Sequence, residues 1–591
     1  MRQNTPVEQL SLLDIRQPST RLRTEPDNSG GVFMEQARQR LRLASFAFIF
    51  CCLAVSWRLA EAMTMRPDVE TGLRRAAIVS TAQGMRADIT DRNGELLATS
   101  LMAASAYADS RLVLDPEETA SRLVKALPGL NRKEVLAKLK SGKHFVWIRR
   151  HLTPREHAAV HRLGLPGISF QQEERRIWPA GPLAAHAVGF TGVDGSGLMG
   201  IERSFDQTLR TSATPLQLSL DMRIQHILKR ELKASMDEFH STGGSGVVMD
   251  ARNGEILAMV SLPDFDPNAP AGITDSAMFN RATLGVYEMG STFKIFNTAL
   301  ALESGLADLS DTFDATRPIR VGKYSISDFH PENRWLTTAE IFRYSSNIGS
   351  VRMVQKVGTT RQKEFLERLG LTRKSGIELP ETGIPQLPRP WNDVSAMTIS
   401  FGHGMAVSSL NMVSATASVI NGGTLVTPTL VRRTQLFEGR RVISPETSDQ
   451  MRRLMRLVVT EGTAMKADAR GYLVGGKTGT AEKSGAGGYE KSSLLSSFIG
   501  AFPAHDPQYI VFVMLDEPRG NARSYGLATA GWTAAPLAGR IIAQMGPLTG
   551  MKPYDSNSPE IRQALKLDMP TGGKALASFS PDDGGGVGVG E

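Results

Sequence analysis

One stretch near the start of the chain constrains everything after it. From Leu43 to Trp57 it reads LASFAFIFCCLAVSW, 15 residues without a charge. A helix needs about 20 apolar residues to cross a bilayer. The apolar character resumes after Arg58 with Leu59, Ala60 and Ala62, and an arginine near the end of a span can reach the headgroups. Arg38, Arg40 and Arg42 precede the run and hold that side in the cytoplasm by the positive-inside rule. The expectation is one transmembrane anchor over 43–64, with the N-terminus cytoplasmic and everything after about residue 65 outside the cytoplasm. A cleaved signal peptide is the alternative, with Ala60-Glu61-Ala62 as its cleavage site. Against it stand the 42 residues ahead of the run, far more than an ordinary leader carries. Residues 1–42 are polar and rich in Pro, Ser and Asn, and are expected to be a disordered cytoplasmic tail.

With 591 residues, 41% of them hydrophobic, the chain has room for two or more cored domains. Its net charge of +8 is a mild excess, suited to an anionic membrane or polymer nearby or to an ordinary basic surface, and it is not the dense patch of a nucleic-acid binder. Cys51 and Cys52 are the only cysteines and sit side by side in the apolar run. Residues beyond the run therefore have no disulfide and no Cys-ligated metal.

Residues 65–235 mix short strands with a charged helical stretch, DPEETASRLVKALPGLNRKEVLAKLKSG. Within them ADITDRNGELLATS turns at Asn93-Gly94 between two strand-like runs. A second such unit, SGVVMDARNGEILAMVS, turns at Asn253-Gly254 and opens a new sheet; its apolar runs on both sides suit a central hairpin. Over 236–550 helical segments such as FKIFNTALALESG alternate with strands such as SSFIGAF and YIVFVMLDEP, the pattern of an α/β or α+β domain. Residues 551–591, ending FSPDDGGGVGVGE, are expected to be a flexible tail.

Three short motifs carry candidate chemistry. In EMGSTFKIFN, Ser291 and Lys294 are three apart at the start of a helical pattern, so hydroxyl and amine can meet on one face. A serine needs a base to become a nucleophile. A lysine serves as that base only if its pKa falls from about 10.4 toward neutrality. Alone, the pair is weak evidence, since S-x-x-K arises by chance in long chains and reads first as a capping serine beside a solvated lysine. In FRYSSNIGS, Ser345 and Asn347 flank Ser346 between two helical segments, and by themselves they carry little information. In ARGYLVGGKTGT, Gly471 to Thr478 matches the phosphate-loop pattern G-x-x-x-x-G-K-[ST]. A phosphate loop must run into a helix, however, and the TGTAEKSGAGGYEKSS that follows forbids one. The segment reads instead as an edge strand ending in Lys477-Thr478-Gly479-Thr480, followed by a loop. Such a strand can add an extended peptide and take its carboxylate.

Taken together, Ser291-x-x-Lys294, Ser345-x-Asn347 and Lys477-Thr478-Gly479 follow in that order, with their first residues 54 and then 132 positions apart. This set resembles the S-x-x-K, S-x-N and K-T-G motifs of penicillin-binding proteins and serine β-lactamases. The resemblance is to class B penicillin-binding proteins and extends over roughly 43–545. It is carried by RADITDRNGELLATS, with Ala87 in place of the family's usual glycine, and by RRIWPAGPLAAHAVGFTGVDGSGLMGIERSFDQTL, LSLDMRIQ and SFGHGMAVSSLNMVSATASVINGG. YSSNIGS and SFGHGMAVSSL resemble the septal, cell-division transpeptidases more than the elongation type.

That resemblance implies a penicillin-binding/β-lactamase-like transpeptidase domain over 236–550, with a central antiparallel sheet flanked by helices. An elongated mixed α+β pedestal, or dimerisation-type, domain over 65–235 would precede it. It implies a peptidoglycan D,D-transpeptidase of the inner membrane with an extracytoplasmic catalytic domain. Ser291 would attack the penultimate D-alanine of a stem peptide, Lys294 would take its proton, and a neighbouring amine would complete the cross-link. Ser345 and Asn347 would relay a proton and contact substrate, and Lys477 would set the electrostatics. Thr478, Gly479 and Thr480 would bind the donor and its carboxylate, and the N–H groups of Ser291 and Thr480 would form an oxyanion hole. β-Lactams would be trapped as acyl-serine. No metal, organic cofactor, nucleotide or nucleic acid is implied. Glycan polymerisation would come from a SEDS-type glycosyltransferase among divisome partners, because 65–235 is too short for a glycosyltransferase and lacks that family's acidic motif. The rival readings are an elongation-type enzyme, a D,D-carboxypeptidase or β-lactamase, and a non-catalytic β-lactam sensor or scaffold.

Overall fold

The computed structural model describes residues 46, 48–57 and 85–567, apart from 323, 436, 486 and 487. It falls into two units, Met1–Ala82 and Gln83–Glu591. In the first, residues 48–57 are helical, and Phe48, Ile49, Phe50, Leu53, Val55 and Trp57 are all exposed. Among the described residues no helix is long and apolar enough to cross a membrane. The remainder of the expected anchor and the tail 1–42 lie outside the described residues.

The second unit begins with the Asn93-Gly94 hairpin. It joins β1 (Ile89–Thr90) to β2 (Leu96–Ala108), whose 13 residues form the spine of a five-stranded sheet. The charged stretch expected to be helical is two helices, α1 (Pro116–Ala126) and α2 (Arg132–Leu139), parted at Pro128-Gly129. Asp115 and Asn131 cap their N-termini by accepting backbone N–H groups, the usual role of a short acidic or amide side chain there. Then come β3 (Val146–Arg149), α3 (Pro154–His161) with a Thr153–Glu156 capping box, and β4 (Ile168–Ile177). Both β3 and β4 pair antiparallel with β2. The short β5 (Leu216–Gln217) pairs parallel with β1. Leu123, Val135, Leu139, Ile148 and Val160 form a small core of their own.

The second sheet follows α4 (Met222–Glu238), which buries Ile224, Ile227, Leu228 and Leu232 at helical spacing. β6 (Gly243–Asp250) and β7 (Ile256–Leu262) form the Asn253-Gly254 hairpin. The chain then builds α5 (Lys294–Glu303), α6 (Thr338–Tyr344), α7 (Asn347–Val357), α8 (Ser409–Ile420) and α9 (Pro445–Glu461). It returns as β8 (Gly475–Gly485), β9 (Gly488–Phe502) and β10 (Tyr509–Asp516), and closes with α10 (Ala534–Met545). The sheet order is β8-β9-β10-β6-β7, antiparallel throughout. Successive β6 residues point to opposite faces. A Cβ on Gly244 or Gly246 would press on Leu232 or Leu228 of α4, while Ser245 Oγ lies 3.1 Å from Ser409 Oγ of α8. The sheet is thus packed between helices.

Three expectations need correction. The β6–β7 hairpin is not central, because β7 is the end strand. Its apolar run reports burial, which segments outside the sheet provide. Gln225 pairs with both the N–H and the C=O of Met259 through its side-chain amide, and Leu257 C=O accepts from Asp221 N–H. The Lys477 strand does not end at Thr480. It continues to Gly485, which pairs with Gly488 at the start of β9, with a register shift between Glu482 and Lys483. Glycine and serine forbid a helix there, but a partner strand supplies the ladder a strand needs, and Lys483 Nζ is pinned to Asp516 and Glu517 at 2.9 and 2.7 Å. Finally, residues 551–567 are not a loose tail. Tyr554 N–H donates to Gly471 C=O, its ring packs on His505, and Ile561 is buried. Residues 568–591 lie outside the described residues.

Candidate active site

Ser291 sits in a 3-10 turn, Gly290–Phe293, that runs straight into α5, so Lys294 is the first residue of that helix. The turn is wedged between two backbones. Gly402 abuts Gly290 so closely that a Cβ there would lie 1.9 Å from its carbonyl oxygen, and Gly402 adopts φ +90°. On the other side β8 approaches, and a Cβ on Gly479 would lie 2.6 Å from Met289 C=O. Only glycine allows both approaches.

Lys294 is 1% exposed. Its Nζ lies 3.0 Å from Ser291 Oγ, 2.5 Å from Ser345 C=O, 3.1 Å from Ser345 Oγ and 2.7 Å from Asn347 Oδ1. The orientation of the Asn347 amide is set by its Nδ2, which donates to Ser327 C=O at 2.9 Å. Burial first, and the neighbouring Lys477 second, hold the Lys294 amine well below its ordinary range. A neutral amine has two N–H donors and one lone pair. Ser345 C=O and Asn347 Oδ1 can only accept, so they take the two donors and leave the lone pair for a hydroxyl proton. Ser291 Oγ, at 3.0 Å, is within reach of it.

Lys477 projects from β8 and is fully buried. Its Nζ reaches Ser345 Oγ at 2.9 Å and lies 6.0 Å from the centre of the Phe342 ring. Burial pulls its pKa down to about 7. Ser345 Oγ therefore bridges the two lysines. Ser345 has φ +61° at the C-terminus of α6, a left-handed conformation that is uncommon away from glycine and is often found at functional sites. Thr478 Oγ1 lies 2.6 Å from Thr463 Oγ1. Thr480 Oγ1 accepts from Ala530 N–H at 3.1 Å, which leaves its own proton free to donate. Past Thr480 the strand flanks a cavity of about 450 Å³ lined by Glu288, Tyr287, Glu482 and Lys483 among others.

All eight sequence-derived residues thus converge on one site. Sequence reasoning missed three others. Asp328 Oδ1 accepts the N–H groups of Asn347 and Ile348 at 2.5 and 2.9 Å, and Oδ2 accepts from Ser346 Oγ at 2.7 Å. It thereby clamps the first turn of α7 that presents Asn347, and its charge also reaches Lys294. Thr463 adds a hydroxyl beside Thr478. His403 is held down to about 4, chiefly by burial, and so adds no cation at neutral pH. His403 lies within the quoted SFGHG, which gave it no role; Asp328 and Thr463 carry no motif signal.

Residues 244–542 match the model of the penicillin binding protein transpeptidase domain, and residues 81–231 that of the penicillin-binding protein dimerisation domain. The chain is 40% identical over 535 residues to a probable peptidoglycan D,D-transpeptidase FtsI of Caulobacter vibrioides, covering 88% of this chain and 90% of that one. It is 31% identical to a probable peptidoglycan D,D-transpeptidase PenA of Neisseria gonorrhoeae (85% and 92% covered). It is 28% identical to the peptidoglycan D,D-transpeptidase FtsI of Escherichia coli (84% and 90%). Among solved structures it shares its fold with penicillin binding protein 3 of Mycobacterium tuberculosis complexed with aztreonam. That match has a TM-score of 0.63 at 24% identity and covers 80% of this chain and 98% of that one.

Proposed function

This chain belongs to the penicillin-binding protein transpeptidases, and from that premise we propose how its site cross-links peptidoglycan stem peptides during septal wall synthesis. The observation that carries the reading is the hydrogen-bond partition at Lys294, a buried amine whose lone pair is left for Ser291.

Ser291 Oγ attacks the carbonyl of the penultimate D-alanine as its proton passes to Lys294 Nζ. The N–H groups of Ser291 and Thr480 receive the developing oxyanion, a donor pair whose loss costs about 3–4 kcal/mol of barrier. Ser345 Oγ, between Lys294 and Lys477, delivers a proton to the departing D-alanine amine, leaving the acyl chain on Ser291. The incoming amine attacks the ester, loses a proton to the same Lys294–Ser345 pair, and returns Ser291 to its hydroxyl form. The donor carboxylate lies against Thr478 and Thr480 over Gly479, with Lys477 attracting it; Asn347 contacts the substrate backbone. A β-lactam follows the first half and remains as acyl-serine.

Residues 43–64 anchor the chain in the inner membrane, a reading supported by the uncharged run over 43–57 and by the uncovered apolar side chains over 48–57. The catalytic unit then lies on the extracytoplasmic side. Glycan strands come from a separate SEDS-type polymerase among the divisome partners. The test is labelling with a fluorescent penicillin, wild type against Ser291→Ala. Stable labelling abolished by the substitution is expected; an unlabelled wild type, or labelling that survives in the variant, contradicts the assignment.

A further inference from the structure

The turn that follows α9 brings one more hydroxyl to the end of the active site where Thr478 lies. Gly462 N–H closes the helix on Val458 C=O, and the chain then passes α6 without room for a side chain. A Cβ on Gly462 would lie 2.9 Å from Val458 C=O and 3.0 Å from Arg343 C=O. Ala464 N–H returns to the same Val458 C=O at 3.2 Å, and Ala464 is fully buried. On its other side Thr463 meets the segment between β10 and α10. A Cβ on Gly531 would lie 2.8 Å from Thr463 C=O, and Lys466 Nζ stands 4.0 Å from the centre of the Trp532 ring. Thr463 is exposed at this junction, yet its backbone is held from both sides.

Its hydroxyl is held as well. Thr463 Oγ1 lies 2.6 Å from Thr478 Oγ1, on the short side for an O–H···O bond, and Thr478 is buried on β8. A hydroxyl has one proton and two lone pairs, so one member of the pair donates and the other keeps its proton for a further acceptor. A carboxylate beside Thr478 decides which. A hydrogen bond to a charged acceptor is roughly twice as strong as a neutral one, so the Thr478 proton goes to the carboxylate and Thr463 donates to the Thr478 oxygen. Thr480 shares a face of the strand with Thr478 and is arranged in the same way, with Ala530 N–H donating to its Oγ1 at 3.1 Å. Each of these two threonines is thus backed by one donor from outside β8, and the two donors come from segments that pack on each other.

Given the donor carboxylate placed at Thr478 and Thr480 by the proposed function, we infer that Thr463 is a positioning residue for it. The Thr463 hydroxyl turns the Thr478 proton toward the carboxylate and so sets the preference of the site for a donor with a free terminal carboxylate. Without it the Thr478 hydroxyl is free to rotate, and its bond to the carboxylate loses the polarisation that a donor on its own oxygen provides. Thr463 acts through Thr478 and takes no part in the proton transfers at Ser291.

The experiment uses the full chain in detergent micelles and compares the rate of acylation by benzylpenicillin with that by its methyl ester, which lacks the carboxylate charge. The wild type should prefer the acid. In Thr463→Val that preference should fall about fivefold, the factor that one neutral hydrogen bond contributes. Thr463→Ser, which keeps the hydroxyl, should restore it, and Thr463→Ala carries the same test should the valine variant fail to fold. Because Thr463 acts through Thr478, the double variant Thr463→Val/Thr478→Val should show the preference of Thr478→Val alone, with no further drop. An acid-to-ester ratio in Thr463→Val equal to that of wild type overturns the inference, whatever the absolute rates. So does a serine variant no better than the valine one, or a double variant whose losses simply add. A wild type acylated equally by acid and ester would strike the placement of the carboxylate, and the inference with it; a wild type acylated by neither would strike the assignment of Ser291, so the failures are distinguishable.

Discussion

Replacing Asp328 by Asn tests how the site is held together. The carboxylate accepts three hydrogen bonds, two from backbone N–H groups of the first turn of α7 and one from Ser346. The amide keeps one oxygen for the two N–H groups but loses the charge. Bonds to a charged group contribute roughly 1.5–3 kcal/mol and neutral ones about 1, so about 1 kcal/mol is lost from each N–H bond. The Ser346 proton loses its acceptor, and the loss of an anion at a helix N-terminus removes about 0.5–1 kcal/mol more. With about 1 kcal/mol more for the stranded Ser346 proton, the total is roughly 4 kcal/mol. Part appears as a lower melting temperature and part as loosening of Asn347, whose Oδ1 holds Lys294. About 1.4 kcal/mol at the lysine corresponds to a tenfold slower acylation. The charge of Asp328 also supports the protonated form of Lys294; without it the amine is held lower still, and the acid limb of the pH–rate profile moves to lower pH. Stopped-flow acylation by a chromogenic β-lactam, measured across pH, reads both effects. A lower melting point with unchanged rate and profile would reduce Asp328 to a helix cap. A rate and melting point both equal to wild type would refute the reasoning.

Three further substitutions or conditions probe the same geometry. Gly479→Ala puts a methyl group 2.6 Å from Met289 C=O, so β8 must move away from the Ser291 turn. Acylation should fall at least about tenfold, while far-UV circular dichroism stays that of the folded chain; wild-type acylation kinetics would contradict the close approach. With Lys294 held well below its ordinary range and Lys477 at about 7, acylation by a carboxylate-bearing penicillin should decline above about pH 7 as Lys477 loses its charge. The apparent value belongs to the coupled pair; a rate climbing through pH 9 would mean that Lys294 is an ordinary lysine. The same burial makes the unfolded chain bind a proton that the folded chain does not between about pH 7 and 10. Folding stability should therefore rise over that window, and Lys477→Met should lose that part of the slope in denaturant titrations.

Much of the site was legible because its motifs combine chemistry with order. Ser291, Lys294, Ser345, Asn347 and Lys477 are individually unremarkable, and their sequence of spacings gives them meaning. Asp328 was not legible, because its partners are mainly backbone N–H groups, which any residues supply, and it lies in the polar run SISDFHPENRW without periodicity. The buried ion pairs of Glu202 with Arg86 and Arg176 escaped for a different reason. Their contacts span 116 and 26 positions, and a buried ion network carries no local signature. In the fold, the Asn-Gly dipeptides marked both hairpins correctly, since the turn is a local event. The place of β7 in its sheet was not local. An apolar run states that a strand is covered, and here Gln225 and Asp221 provide the cover in place of a neighbouring strand.

The central claim is acyl transfer from Ser291 to an amine, and it is tested most directly by product analysis. Purified full chain is given a stem-peptide donor ending in D-Ala-D-Ala and an amine-bearing acceptor, and D-alanine release and cross-linked dimer are measured together by mass spectrometry. The account predicts dimer formed in step with released D-alanine, a transient acyl adduct mapping to Ser291, and neither product from Ser291→Ala. D-Alanine released without dimer would make the chain a hydrolase, and dimer formed by Ser291→Ala would contradict the account outright.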